Sequence, residues 1–262
     1  MTIQKTEALV LKSAKFRDTS LITTFLTADF GKIKALSKGV RKERSLVLSH
    51  YEPFSHVQIV FYEKTKSDIH FLSECTLLYF FSKIRSDFEK ISWASYLTEV
   101  AEAVLPVHEK NCVLFRLLLD VLHAMEKGPP SHLACIFEVK LLADSGVFPN
   151  LEGCMRCGKK DSEGYLSLRE GGIFCATCRK HAGDAFYLSK GLIKTIRFFA
   201  ENEFSRGRLL KAGKEMEDKL HHMTAWWIRH RFERELASVH FLREVGLMEW
   251  NRAEAWAKAV PM

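Results

Sequence analysis

Four cysteines in two closely spaced pairs constrain this chain more than any other feature of its sequence. Cys154 and Cys157 are separated by two residues, and Cys175 and Cys178 repeat that spacing after seventeen intervening residues. Two residues between cysteines allow both sulfur atoms of a tight turn to point at one metal ion. This separation between the two pairs is typical of a four-thiolate zinc site. The spacing therefore predicts bound zinc.

Two alternative uses of these cysteines are a pair of disulfides and a redox-active Cys-x-x-Cys motif. Disulfides are disfavoured because no secretion signal is visible and because Cys75, Cys112 and Cys135 are scattered in apolar runs, where we expect small buried side chains. A catalytic zinc keeps an open coordination position, whereas four thiolates close the shell. We therefore expect a structural zinc, held by a hairpin with strands near 165–168 and 172–174.

The first eighty residues have the pattern of short β-strands. Apolar and polar side chains alternate in five segments, and Gly31 ends a tight turn between the second and third. In the third segment, alternation puts lysines on one face and Ile33 and Leu36 near the other, with a bulge allowed beside Ala35. Five short antiparallel strands favour a small closed barrel of the OB-fold type. The segments are residues 6–12, 21–27, 32–38, 53–61 and 69–78.

From Ser82 onward the apolar residues are spaced three and four apart, which predicts helices. Asn111, Ser131 and Ser189 each precede such a run and are residue types that cap helix N-termini. The predicted helices cover residues 82–105, 111–125, 131–144, 189–199, 209–234 and 252–259. The fold class is α+β, with a five-stranded OB-fold barrel over 1–80, an all-helical domain over 81–150 and 181–262, and an inserted four-cysteine zinc hairpin at 151–180.

Positive charge is concentrated in one part of the predicted barrel. The chain has a formal net charge of +7 and a pI of about 9.0, and between Lys32 and Arg44 six basic residues face one acidic residue. Such a barrel binds single strands when cations meet exposed aromatic rings, and Phe16, Phe30 and Tyr51 are candidate stacking surfaces. The alternative is a solvated surface with these rings in the core. The candidate DNA-binding residues are Lys12, Lys15, Arg17, Lys32, Lys34, Lys38, Arg41, Lys42 and Arg44.

A second mixture of cations and large apolar groups lies near the C-terminal end, over residues 226–234. Arginine and aromatic side chains around a pocket suit an acidic, aromatic peptide tail of a partner protein. The alternative is a helix with Trp227 and Phe232 in the core and its arginines in water. The candidate tail-binding residues are Trp227, Arg229, Arg231 and Arg234.

Motifs of catalysis and of membrane insertion are not visible. The sequence has no G-x-S-x-G, H-E-x-x-H, Walker A or G-x-G-x-x-G pattern, so we expect no enzymatic activity. No run approaches the ~20 apolar residues of a membrane helix, and the first fifteen residues lack the apolar region of a signal peptide. We expect a cytoplasmic protein.

Several short stretches occur in an order that resembles one family, the RecO recombination mediators of bacterial DNA repair. The resemblance spans essentially the whole chain, including the first cysteine pair, and Asp18 stands where the family more often has Glu. The stretches are EALVL at 7–11, FRDTS at 16–20, TADFG at 27–31, ALSKGVRK at 35–42, FEVKLL at 137–142, GVFP at 146–149 and LASVHFL at 236–242.

The resemblance implies an N-terminal OB domain, a helical domain and a zinc-binding region in one protein that is monomeric on its own and associated with the nucleoid. It also implies binding of single- and double-stranded DNA, annealing of complementary strands, and partnership with RecR to load RecA onto DNA covered by single-stranded-DNA-binding protein. The acidic C-terminal tail of that binding protein is expected to contact the helical domain. Alternative hypotheses are an RNA-binding OB-fold protein with a structural zinc, a zinc hydrolase or nuclease, and a scaffold that docks an acidic protein.

Overall fold

The structure is a computed structural model that describes residues 2–42, 46–64, 67–105, 109–146, 148–160, 163–167, 169–183 and 185–249. The chain divides into two units. The first comprises Met1–Pro130 with Arg234–Ser238, and the second comprises Ser131–Glu233 with Val239–Met262. The predicted helix at 252–259 lies outside the described residues.

Five strands of the first unit close into a barrel in the order β1-β2-β3-β5-β4, which confirms the predicted OB-fold architecture. Neighbouring strands are antiparallel except for β3 and β5, which are parallel, so the prediction of antiparallel strands was wrong for this one pair. The fourth strand begins later than predicted because Phe54 is buried in a left-handed backbone conformation, with φ of 54°. The strands are β1 (Thr2–Phe16), β2 (Ser20–Thr27), β3 (Gly31–Ser37), β4 (His56–Glu63) and β5 (Ile69–Tyr79).

Inward-pointing side chains fill the barrel with a continuous apolar core. In β3 the side chains that belong to the apolar core are those of Ile33 and Ala35, whereas Leu36 points outward, so the prediction that Leu36 faces the core was wrong. The alternation of β3 is unbroken. Register shifts occur instead in β1, between Val10 and Lys12, and at two places in the pairing of β4 with β5. The core residues are Ala8, Val10, Leu21, Phe25, Ile33, Ala35, Tyr51, Val57, Ile59, Phe61 and Leu72.

Three helices follow the barrel within the first unit: α1 (Ser82–Arg85), α2 (Phe88–Val104) and α3 (Cys112–Met125). The helix predicted over 82–105 is interrupted because the Asp87 carboxylate caps a new helix and accepts a hydrogen bond from the Lys90 N–H at 3.1 Å. Asn111 caps α3 as predicted, accepting from the Leu114 N–H at 2.8 Å. Because α2 and α3 pack on β1 and β2, they cover one end of the barrel's outer surface.

The second unit contains α4 (Pro130–Asp144), α5 (Lys190–Glu201), α6 (Phe204–Gly207), α7 (Lys214–Phe232) and most of α8 (Ala237–Glu244). Helix α4 begins with Pro130, a favoured first residue, and the Ser131 hydroxyl donates to Glu217 at 2.7 Å instead of capping the helix. Ser189 caps α5 as predicted. Helix α7 begins at Lys214, later than predicted, because α6 is a separate turn.

Three short strands accompany these helices. Strand β6 (Gly164–Ser167) pairs with β7 (Gly172–Phe174), which confirms the predicted hairpin, and also with β8 (Phe186–Leu188), which the sequence did not reveal.

Helices α4 and α7 are joined by a hydrogen bond between the fully buried Glu138 carboxylate and His221 Nδ1 at 2.7 Å. Of the helices in the described part of the chain, none is long and apolar enough to span a bilayer.

Candidate nucleic-acid interface and metal centre

The outward-pointing side chains at one end of the barrel are covered. Leu9, Leu26 and Lys32 lie opposite one another on β1, β2 and β3, and all three are buried. The Lys32 ammonium donates a hydrogen bond to the carbonyl oxygen of Glu102 in α2 at 2.6 Å. Burial lowers the pKa of Lys32, and the Glu102 carboxylate opposes that change only in part. Lys32 is only 5% exposed, so the structure removes it from the candidate phosphate contacts.

At the other end of the barrel, one row of outward-pointing apolar residues crosses all five strands. Ala14, Ile22, Leu36, Phe71 and Tyr62 are successive cross-strand partners, so their side chains share one face. None of the five is fully buried. The rings of Phe71 and Tyr62 lie 6.1 Å apart at an interplanar angle of 36°. We call this row and the cations beside it the open face.

Cations flank the apolar row on both sides. On one side, Lys12 and Lys34 are the two cross-strand partners of Thr24. Each is two residues along its strand from a member of the row, Ala14 or Leu36, which corresponds to a distance of about 7 Å. On the opposite side, the Lys38 ammonium lies 5.6 Å from the centre of the Phe71 ring, within range of a cation–π contact. Leu36, Lys38, Tyr62, Lys64 and Phe71 together line a shallow groove of about 460 Å³.

The loop after β3 lies beside the turn between β1 and β2. The Arg41 N–H donates to the Thr19 carbonyl at 3.0 Å, and the Arg41 guanidinium donates to the Arg17 carbonyl at 3.2 Å. These bonds bring two groups of predicted cations to one edge of the open face. Lys15 and Lys42 are also exposed, whereas Arg44 lies outside the described residues.

The predicted stacking residues have different environments. Tyr51 belongs to the barrel core. The half-buried Phe30 packs edge-on against Phe61 with ring centres 5.4 Å apart, so both rings contribute to the core as the alternative expected. Phe16 is exposed and has the Arg17 guanidinium 5.3 Å from its ring centre. Sequence reasoning missed the two rings on the open face, Phe71 and Tyr62. Strand alternation could have found Phe71, because it stands between two buried residues of β5.

The four predicted metal ligands lie together in the second unit. The sulfur atoms of Cys154, Cys157, Cys175 and Cys178 all lie within 4.8 Å of one another, and the Cys157 and Cys175 sulfur atoms are 3.8 Å apart. A tetrahedral Zn²⁺ with Zn–S bonds of 2.3 Å requires sulfur atoms about 3.8 Å apart. None of the seven cysteines forms a disulfide. The donor set and its spacing therefore fit one four-coordinate metal ion.

The thiol pKa values differ within this cluster. Burial raises the pKa of Cys154, but hydrogen bonds from the backbone N–H groups of residues 175, 157 and 156 outweigh burial and bring it to about 6. Burial and the neighbouring sulfur atoms raise the pKa of Cys178 to about 12. One thiolate therefore forms readily, and a divalent cation would favour ionisation of the others by offsetting their mutual repulsion.

The other three cysteines do not share one environment. Cys135 is fully buried and Cys75 half-buried, whereas Cys112 at the start of α3 is exposed, so the prediction of burial was wrong for Cys112. As the first residue of its helix, Cys112 precedes the apolar positions that pack inward.

The predicted peptide-tail residues are not one exposed cluster. Trp227 is buried, with its ring 5.4 Å from that of Phe232, as the alternative of a core helix requires. Arg229 and Arg231 are exposed on α7. Arg234 belongs to the first unit and lies 3.7 Å from the Glu102 carboxylate. Trp227 therefore offers no surface to a peptide.

Comparison with known proteins gives a consistent assignment over both units. Residues 1–81 match the model of the recombination protein O N-terminal domain, and residues 85–240 match that of its C-terminal domain. A DNA repair protein RecO from Pelotomaculum thermopropionicum is 30% identical over 247 residues, covering 94% of this chain and 96% of the relative. The RecO protein of Caldicellulosiruptor bescii is 28% identical, covering 93% and 99%. The chain therefore belongs to the RecO family of DNA repair proteins.

Proposed function

We propose that this protein is a non-enzymatic recombination mediator whose open face binds single-stranded DNA. The observation that carries the proposal is the apolar row of the barrel, with the adjacent rings of Phe71 and Tyr62, between two groups of cations. Bases of an unpaired strand stack on such rings without regard to sequence, while Lys34 and Lys38 neutralise phosphates. Duplex DNA would use the same cations but leave the rings unused, because its bases are already paired.

The finer steps follow from family membership and remain proposals. Bound strands anneal to complementary strands, and with RecR the protein helps RecA to replace single-stranded-DNA-binding protein in the cytoplasm, at the nucleoid. The acidic tail of that binding protein would contact the second unit near the exposed Arg229 and Arg231. The four-cysteine cluster would hold a structural Zn²⁺, because four thiolates leave no coordination position for a substrate.

The first test separates charge from stacking on the open face. Reversal of Lys34, Lys38 and Arg41 to Glu should abolish binding of an oligonucleotide in both single-stranded and duplex form. Replacement of Tyr62 and Phe71 by Ala should weaken single-strand binding by about 1–3 kcal/mol per lost stacking contact and change duplex binding much less. Fluorescence anisotropy across a salt series measures both effects.

A matched control replaces Lys127 and Lys211 by Glu, since both are exposed lysines that belong neither to the barrel strands nor to the loop after β3. This control should retain wild-type affinity. The proposal is wrong if the folded triple variant binds single strands as tightly as the wild type and with the same salt dependence. A preference for RNA over DNA of equal length would instead favour the RNA-binding alternative.

A further inference from the structure

A groove in the second unit has no role in the proposed function. It lies between α5 and the segments that flank the first cysteine pair, and its volume is about 570 Å³. Leu151 and Ile193 form its floor and are almost fully buried, while Phe198 is half-buried at its side. Its rim is basic, with Lys160, Lys190, Lys194 and Arg197 against Glu152 and Glu201. We call it the α5 groove.

The lysines of the α5 groove differ in their ion pairing from the lysines of a second pocket in the same unit. The lysines beside the smaller pocket of β8 and α7 are paired: Lys214 lies 3.1 Å from Glu249, and Lys219 lies 2.7 Å from Glu215. In the α5 groove, Lys160, Lys190 and Lys194 form no ion pair within the described ranges, and all three are exposed.

Arg197 organises one side of the α5 groove. Its guanidinium lies 2.7 Å from the Glu152 carboxylate and 3.4 Å from that of Glu201, so the two acids of the rim are both engaged with this one cation. The three lysines therefore supply the unbalanced positive charge. Lys190, Lys194 and Arg197 are spaced four and three residues apart, which places them along one side of the helix.

The size and chemistry of the α5 groove favour a phosphodiester backbone as its ligand. From Lys190 to Arg197 the helix advances about 10 Å, a length over which one strand of a duplex presents about three phosphates. An acidic peptide with apolar anchors would need an exposed apolar floor, but Leu151 and Ile193 are only 5% and 6% exposed. The half-exposed Phe198 ring can contact a base or sugar beside the phosphates.

We infer that the α5 groove is a second nucleic-acid-binding surface, which holds one strand by its phosphates while the open face holds another. The inference rests on the proposed function, because it assumes that the barrel binds the first strand. An annealing protein with two such surfaces brings two strands together on one chain, so pairing no longer depends on a collision between two separate protein–DNA complexes.

The test uses the full-length, zinc-loaded protein with Lys190 and Lys194 both changed to Glu, and the Lys127 and Lys211 double reversal as the control of equal charge. Two non-complementary oligonucleotides of about 12 nucleotides, within the range of one OB-fold site, carry a donor and an acceptor fluorophore. Energy transfer between them reports two strands on one chain, and anisotropy of one oligonucleotide reports first-strand binding. Zinc content and circular dichroism show that each variant is folded.

We expect the Lys190/Lys194 variant to keep first-strand affinity within about twofold and to lose second-strand capture by at least about tenfold, with a salt slope shallower by about 1.4 for two lost phosphate contacts. Annealing should fall in parallel, and the control should match the wild type. Wild-type capture by the Lys190/Lys194 variant would overturn the inference, as would an equal loss in the control.

Further outcomes distinguish failure of the second-surface inference from failure of the proposed function. If the Lys190/Lys194 variant captures and anneals strands normally but loses binding of a glutamate- and aspartate-rich peptide, the α5 groove is a peptide site and the inference is wrong. If the wild type binds neither oligonucleotide, the proposed function itself fails. Loss of first-strand binding in the open-face triple variant, with normal capture by the Lys190/Lys194 variant, would retain the proposed function and reject only the second surface.

Discussion

The barrel and the cysteine hairpin are held together by different forces. The barrel has five strands of seven to fifteen residues around a core that includes Phe25, Ile59 and Phe61. The hairpin region has strands of three and four residues, and its cluster of buried residues contains two of the four candidate metal-ligand cysteines. A sheet this small cannot bury enough apolar surface to be stable by packing alone. The comparison indicates that the barrel is held by apolar packing, and it predicts that the hairpin depends on a metal ion held by the four cysteines.

Removal of the metal should have the largest effect and should affect only the hairpin. Structural zinc in small domains contributes about 10–16 kcal/mol of apparent binding energy. We expect Cys157→Ser, or treatment with a strong chelator, to release zinc and to abolish hydrogen-exchange protection in β6 and β7 while β1 to β5 keep theirs. Hydrogen exchange read by mass spectrometry measures both regions in one experiment.

The exposed Cys112 supplies the control for this prediction, because it is a thiol outside the quartet. Cys112→Ser should retain one zinc per chain and full protection of the hairpin. Full protection of β6 and β7 in zinc-free protein would contradict the contrast drawn between the two regions.

Truncation in the barrel core should have the next largest effect. Phe25 is fully buried, so Phe25→Ala removes a large apolar side chain and leaves a cavity, at a cost of about 3–5 kcal/mol in the free energy of unfolding. Phe16→Ala at an exposed position of β1 should cost less than about 0.5 kcal/mol. Urea unfolding measures both. Zinc content should be unchanged in each variant, and a coupled loss of zinc would show that the two regions do not stabilise themselves independently.

The sequence was sufficient for the features that depend on local pattern. Cysteine spacing placed four sulfur atoms around one point, alternation located the five strands, and Asn111 and Ser189 marked their helix starts. These signals are local because each reflects either the period of one element or the geometry of one turn.

The sequence was not sufficient where a distant element decides exposure. Lys32 and Lys34 look equivalent on an alternating strand, but α2 covers the first and not the second. Trp227 lies in a run rich in arginine, yet its side chain is buried. Phe71 lies beside Leu36 only because β5 pairs with β3, a strand much earlier in the chain. Burial of this kind depends on packing between segments far apart in the chain, which no local window contains.

A matched pair of substitutions on β3 tests that distinction through DNA binding. Lys34→Met and Lys32→Met remove the same charge from neighbouring outward positions of one strand. Lys34→Met should weaken single-strand binding and lower the salt slope by about 0.7, the value for one lost phosphate contact. Lys32→Met should leave both unchanged, because the Lys32 ammonium is already bonded to the Glu102 carbonyl. Equal losses in the two variants would show that Lys32 reaches DNA after all.

The smallest expected effect is a pH dependence of stability that belongs to Lys32. Burial lowers the folded-state pKa of Lys32 from its usual 10.5, and the groups facing it are Glu102, Arg234 and Lys34. Between the lowered folded value and 10.5, the unfolded chain binds more protons than the folded chain, so the free energy of unfolding rises with pH in this interval. Lys32→Met removes this contribution.

The two proteins share every other titrating group, so the difference between their unfolding free energies isolates Lys32. As pH rises from neutral towards 10.5, the wild type should gain stability relative to Lys32→Met, which urea unfolding at several pH values measures. Lys127→Met controls for the loss of one positive charge at an exposed site. A difference that stays constant, or that changes in the opposite direction, would mean that the covered end of the barrel does not disfavour the charged ammonium. The outward surface of β3 would then be one continuous basic strip, without the division between a covered end and an open face.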